Sequence, residues 1–315
     1  MRRFVVSASA ALVLAAAPAA VQAQTCGGNP LAEDACYVAS DLFRYMGGQL
    51  GTAIAGGSHT LGLGTNLGGF PRFSLALRVN AVKGNLPELG DVFAGPASAR
   101  NFAVEDAPVP MATVDFALGL TKGFNVGVTR IGGVDLIGGL TYVPEITEDE
   151  FTLTPESNIA VGLGARVGLL EQSALLPGVS VSYMKRDLPT LDFGASADNG
   201  TSFDINDFSV KTTSWRISAQ KNLLLFQLGA GFGGDSYDLS TSASVNAEGN
   251  TGTLQDALKI NRTTMYGTLG VNLWLMKIVA EVGQVSGGTI GTFHTYDTPA
   301  DDSRLYGSVG IRIGK

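Results

Sequence analysis

From Phe73 to the C-terminus, apolar residues recur at every second position, in runs of up to about ten residues. That period admits extended strands and excludes helices, because successive side chains of a strand point to opposite faces while a helix repeats every 3.6 residues. Phe73, Leu75, Leu77, Val79 and Ala81 alternate with Ser74, Ala76, Arg78 and Asn80. The same reading covers 112–121, 124–129, 159–169, 179–183, 213–219, 224–233, 264–273, 278–283 and 304–313, which makes ten strands. Residues 134–143 and 239–247 offer one more each, so the count spans eight to twelve.

The connections alternate in length. Links 83–110, 131–157, 187–207, 236–261 and 287–303 are long, whereas 121–123, 170–178, 220–222 and 275–277 are short. A sandwich has no reason to gather its long loops at one end. A membrane barrel does, with short turns on the periplasmic side and longer loops outside. Ten residues at about 3.3 Å each, tilted by about 45°, also cover the roughly 25 Å apolar band of such a barrel.

The polar parity is mostly Gly, Ser, Thr, Ala and Asn. That makes a poor soluble surface, which would carry many Lys and Glu, but it suits a crowded lumen. There Arg78, Arg166, Arg216 and Arg312 are expected to meet Asp115 and Glu281, since an unpaired buried charge costs several kcal/mol. The fold class read from the residues is therefore all-β: a transmembrane antiparallel up-and-down β-barrel, with a short helical cap or plug before it.

The N-terminus carries a different message. Arg2 and Arg3 precede an apolar stretch from Phe4 to Ala20, and Val21-Gln22-Ala23 has the form of a cleavage site, so residues 1–23 read as a signal peptide. An exported chain meets an oxidising compartment, which favours pairing its two cysteines, Cys26 and Cys36, as a disulfide. Val38, Leu42, Met46 and Leu50 recur every fourth residue, as on one face of a helix that Gly47-Gly48 would weaken near its end. Residues 24–60 thus form an N-terminal helical segment and residues 61–315 the barrel.

Composition excludes other classes. Outside the N-terminus no apolar run reaches the roughly 20 residues of a spanning helix. A net charge of −7 without clustered Lys or Arg gives no footprint for nucleic acid. Glu145, Glu148, Asp149 and Glu150 fit no defined calcium loop; the two histidines, His59 and His294, lie in Gly-rich or polar connecting segments, and His294 in its outer loop is expected to be solvated. No metal, cofactor or catalytic residue is assigned, and no enzyme activity is expected.

With export signal, period-two strands, long outer loops and a terminal strand, RLYGSVGIRIGK, that runs almost to the last residue, the chain resembles bacterial outer-membrane β-barrel proteins as a class. The small-residue helical segment also resembles that of an uncharacterised outer-membrane family of similar size. The fatty-acid transporter family shares an N-terminal hatch, but its Asn-Pro-Ala segment is missing here. The chain departs from the class at its end, Ile313-Gly314-Lys315, where the assembly signal places an aromatic residue.

The resemblance implies the bacterial outer membrane as location, its lipids and the barrel-assembly machinery as partners, and a small-molecule ligand in the lumen as a candidate. Three functions follow as expectations. The first is a narrow channel or uptake barrel for small solutes. The second is a closed structural or adhesive barrel working through its outer loops. The third is a lipid- or peptide-hydrolysing barrel using His294 beside Thr292, Thr295, Tyr296 and Asp297.

Overall fold

A computed structural model describes residues 32–88, 97–148, 151–196 and 201–314. The segment 1–23, expected as a signal peptide, and Cys26, and with it the expected Cys26–Cys36 disulfide, lie outside these residues, as do Asp149 and Glu150.

Ten staves form the wall: β1 (Phe73–Pro87), β2 (Val104–Gly119), β3 (Gly133–Tyr142), β4 (Ile159–Leu170), β5 (Gly178–Asp187), β6 (Ser202–Leu223), β7 (Phe226–Ala247), β8 (Asn250–Leu273), β9 (Met276–Ser286) and β10 (Arg304–Gly314). Each pairs antiparallel with its chain neighbours, and β10 returns to β1 with Val79 opposite Val309. Closure leaves no sheet edge in hydrocarbon, where an unpaired backbone group costs several kcal/mol.

The exterior shows where the membrane lies. Leu75, Leu77 and Val79 on β1, Leu163 and Val167 on β4, Phe232 on β7 and Val309 and Ile311 on β10 are all exposed. A watery surface of such residues would be an aggregation liability, but a lipid-facing band requires them. Above it a cross-strand row of alternating sign, Asp187, Lys211, Asp238 and Lys259, stands in register on β5 to β8. Lys259 Nζ lies 3.1 Å from Asp238. This row marks the upper limit of the band.

β6, β7 and β8 run 22, 22 and 24 residues. At about 3.3 Å per residue and a tilt of about 45°, such staves rise roughly 50 Å, twice the apolar band. Polarity inverts where they leave it. On β7, Leu228, Ala230 and Phe232 face out and Gln227 and Asp235 face in, but beyond Asp235 the inward residues are Tyr237, Leu239, Ala243 and Val245, while Asp238 and Ser240 face out. The strands thus enclose a polar lumen within the membrane and an apolar turret above it.

Two strand assignments differ from the sequence reading. Residues 124–129 are not a stave but a small hairpin, Phe124–Val126 with Thr129–Ile131, inside the β2–β3 connection. The stave in its place is β3, which takes in nearly all of the segment VDLIGGLTYV that the sequence offers as an additional strand and whose Gly138-Gly139 interrupts the alternation. The link 236–261 is also not a loop, since β7 and β8 pair through it up to a turn at Glu248-Gly249. Alternation of long and short loops therefore holds less strictly than the sequence suggests.

The turret is filled by one helix, α1 (Glu33–Ala55). Its first turn holds Glu33 and Asp34, favourable at the positive end of the helix dipole. The expected weakening at Gly47-Gly48 does not occur; the helix continues to Ala55, because those glycines permit contact. A Cβ on Gly47 would lie 2.7 Å from Leu239, on Gly48 2.8 Å from Ile290 and on Gly51 2.5 Å from the Tyr237 ring. Close packing offsets the roughly 1 kcal/mol that each mid-helix glycine costs. Cys36 is buried in α1.

Candidate functional site

The lumen is occupied by the chain's own N-terminal segment. α1 starts at the outer end, where Arg100 donates to Asp34 at 2.5 Å, and β1 starts at the opposite rim. Residues 56–72, GGSHTLGLGTNLGGFPR, connect the two and belong neither to the helix nor to the wall. The chain therefore threads the whole barrel from the outside inward before the first stave begins.

Polar wall residues hold this segment at every level. Asn80 donates to the Ala53 carbonyl at 2.8 Å, and Arg216 Nη2 to that of Ala55 at 3.0 Å. Arg186 Nη2 donates to the Ser58 carbonyl at 2.9 Å, while the Ser58 amide donates to Glu281 Oε1 at 2.9 Å. His59 is clasped by two hydroxyls, Ser182 at 2.9 Å from Nδ1 and Ser214 at 2.7 Å from Nε2, so a neutral ring serves one as donor and the other as acceptor. Lower down, Arg312 donates to the Leu61 carbonyl, Gly64 to Gln220 at 2.6 Å and Leu67 to both oxygens of Asp135. Beside the thread remains a cavity of about 10 Å³ lined by Ser58, His59, Thr60, Tyr266 and Glu281, room for one water.

The six charges singled out in the sequence all stand buried in this lumen. Arg78 meets Asp115 at 2.6 Å. Arg166 pairs instead with Asp135 at 2.7 Å and Arg216 with Asp235 at 2.8 Å. Glu281 receives the Ser58 amide, and Arg312 reaches the thread and Gln227. Sequence reasoning missed Asp135, Arg186, Asp235 and His59. Continuing the inward parity would have found two of them, from Ser180 and Ser182 to Arg186 and from Gly231 and Gly233 to Asp235.

His294 is not a solvated loop residue. It is fully buried against α1, with Nδ1 2.9 Å from Asp41 and Nε2 3.7 Å from Asp34. Burial disfavours its charge, but Asp34 and Asp41 outweigh that and raise its pKa above the usual value; Arg100 stands on the far side of Asp34. A raised folded-state pKa adds stability in full below the unfolded value of about 6.5 and loses it as pH rises through the folded one. Hydrogen exchange across α1 should therefore accelerate as pH rises above about 6.5 by more than the intrinsic rate predicts, and His294→Phe should remove that excess. A parallel pair of short strands, Asn101–Phe102 and Thr295–Tyr296, ties two outer loops together beside this contact.

No protein-family model and no curated protein matches the chain. Among solved structures, the translocator domain of autotransporter NalP from Neisseria meningitidis is similar at 11% identity and a TM-score of 0.42, covering 91% of this chain and 99% of that one. The outer membrane protease OmpT from Escherichia coli is similar at 8% identity and a TM-score of 0.40, covering 78% and 97%. The CymD monoaromatic hydrocarbon channel gives 10%, 0.29, 91% and 97%. Scores this low assign none of those activities to the present chain. Its own strand order, even stave count, terminal staves meeting at the short-turn rim and apolar outer band are those of a bacterial outer-membrane β-barrel.

Proposed function

We propose that the protein is a gated conduit, an uptake barrel for small solutes whose N-terminal segment is both plug and gate. One observation carries this reading: the filling of the bore is separable from its wall. Ten staves can fill a barrel with their own side chains, yet here much of the inward parity is small, with Ser180, Ser182, Ser214, Ser218 and the glycines of β4 and β7 leaving space that residues 56–72 occupy. The wall also completes its own ion pairs, Arg78–Asp115, Arg166–Asp135 and Arg216–Asp235, so it stays charge-balanced at those sites if the thread leaves. The glycine-rich thread brings few apolar contacts to hold it, chiefly through Leu61, Leu63 and Leu67.

A second reading, a closed structural or adhesive barrel, is favoured by the turret, where Val38, Leu42, Phe43, Tyr45, Leu50 and Ile54 are buried. At about 1.5–3 kcal/mol for each such side chain, withdrawal of α1 demands an external trigger. The rim-hydrolase reading gains nothing from a histidine buried against α1.

The full chain carrying Gly51→Val distinguishes the first two. The added methyls collide with the Tyr237 ring of β7, above the ion-paired part of the lumen, and should loosen the docking of α1. In planar bilayers the unaltered protein should be silent and the variant should conduct. A folded variant, checked by heat-modifiable gel mobility, that stays silent would leave the closed barrel as the better reading.

A further inference from the structure

Two lumen arginines differ from the rest. Arg186 and Arg312 are buried, and among the described ion pairs neither has a carboxylate. Their acceptors are mainly backbone carbonyls of the last residues of α1 and of the thread. Arg186 uses those of Ile54, Ala55 and Ser58 at 3.3, 3.4 and 2.9 Å. Arg312 uses that of Leu61, with Gln227 Oε1 at 3.0 Å. Arg216 and Arg166 spend one nitrogen in the same way, on Ala55 at 3.0 Å and Leu63 at 3.3 Å, while keeping their aspartates. Residues 56–72 contain no Asp or Glu, so the thread neutralises nothing; it supplies only partial negative charge from carbonyl dipoles.

We infer that the conduit is built for anions, and that the carbonyl oxygens of Ile54, Ala55, Ser58 and Leu61 stand where the oxygens of a small oxyanion, a carboxylate or a phosphate, bind Arg186 and then Arg312 during passage. The inference rests on the gated-conduit reading and adds the class of solute to it. Its physical basis is the high cost of a buried guanidinium without an acceptor. When α1 and the thread withdraw, Arg166 and Arg216 retain Asp135 and Asp235, but Arg186 loses its carbonyl partners and Arg312 keeps only Gln227. An entering anion restores them, and charge-assisted N–H···O bonds are roughly twice as strong as the neutral ones they replace. The two arginines lie at successive depths, one against the end of α1 and one against Leu61, which gives the handover between sites that conduction requires.

The test uses the full chain with Gly51→Val in a planar bilayer separating unequal KCl concentrations. The expected zero-current potential has the sign of chloride permeation, and inorganic phosphate should reduce the chloride current by occupying the same sites. Adding Arg186→Gln and Arg312→Gln should lower the chloride-to-potassium permeability ratio on the order of tenfold, with gel mobility reporting that the barrel still forms. A current of cation sign, or a ratio unmoved by the two substitutions, overturns the anion assignment and leaves the conduit standing. Absence of current from a folded variant overturns the conduit and the assignment with it. If Gly51→Val does not fold, Thr60→Cys in the otherwise unaltered chain gives a second measurement. Thiol labelling there should speed up in inorganic phosphate relative to chloride at equal ionic strength, and an unchanged rate overturns the assignment.

Discussion

Asp135→Ala lowers the stability of the barrel by about 3–5 kcal/mol, the cost of breaking a buried pair by removing one partner. Asp135 and Arg166 are both wholly buried, with Arg166 Nε at 3.0 Å and Nη2 at 2.7 Å from the same carboxylate oxygen. The loss has two parts. Arg166 keeps only Thr60 Oγ1 and the Leu63 carbonyl, at 3.2 and 3.3 Å, and the Leu67 amide loses the carboxylate to which it donates. Removing both charges, Asp135→Ala with Arg166→Leu, should recover most of the loss, because a buried pair replaced by apolar groups is often neutral. Denaturant titration in detergent, followed by heat-modifiable mobility, measures both. Equal losses from the single and double variants would mean that packing matters at this site and charge does not.

Phe43→Ala should cost about 3–5 kcal/mol of helix docking, the usual range for a phenylalanine truncated in a core. Phe43 is wholly buried and meets Phe208 edge-on at 5.4 Å, and Phe208 meets Phe193 at 5.0 Å in turn. The effect should stay local. Protease added to intact cells should cut the turret segment much faster in Phe43→Ala, while the wall below the charged row keeps its mobility shift. Cleavage unchanged from the parent would mean that α1 is held mainly by polar clasps such as Arg44, whose Nε lies 2.7 Å from Asp256.

Both variants probe regions that were unevenly legible in the sequence. The membrane-embedded wall is plain from period two, because one parity must face lipid and the other a polar bore over the same ten or so residues. The stave at 134–143 reads only as an optional strand because Gly138 and Gly139 blank out the pattern, which leaves Asp135 without an assigned face. Room for the Phe116 ring explains the first glycine, since a Cβ on Gly138 would fall 2.2 Å from it. The turret was illegible for another reason. Above Asp235 the apolar parity changes faces, so residues 236–261, although largely alternating on either side of the turn at Glu248-Gly249, break the rule that holds below.

The helix could be read from Val38, Leu42, Met46 and Leu50, but its place could not. Glycines that look like a helix breaker at 47 and 48 are clearance for Leu239 and Ile290. The charged residues of the lumen were foreseeable one by one, but their partners were not, because pairing depends on register: Arg166 stands opposite Asp135 across β3 and β4. Burial of His294 had no local signal, since Asp34 and Asp41 are more than 250 residues away in the chain.

The central claim, that the outward apolar parity is bathed in lipid, has a direct optical test, because the chain has two tryptophans. Trp215 faces outward on β6, four residues below Lys211, and Trp274 stands on the turn between β8 and β9. In a Trp274→Phe variant reconstituted in vesicles, emission comes from Trp215 alone. Lipids brominated along the acyl chain should quench it, most strongly from the shallow positions, and aqueous iodide should not. Quenching by iodide with no response to the brominated lipids would place the outward face in water and contradict the account.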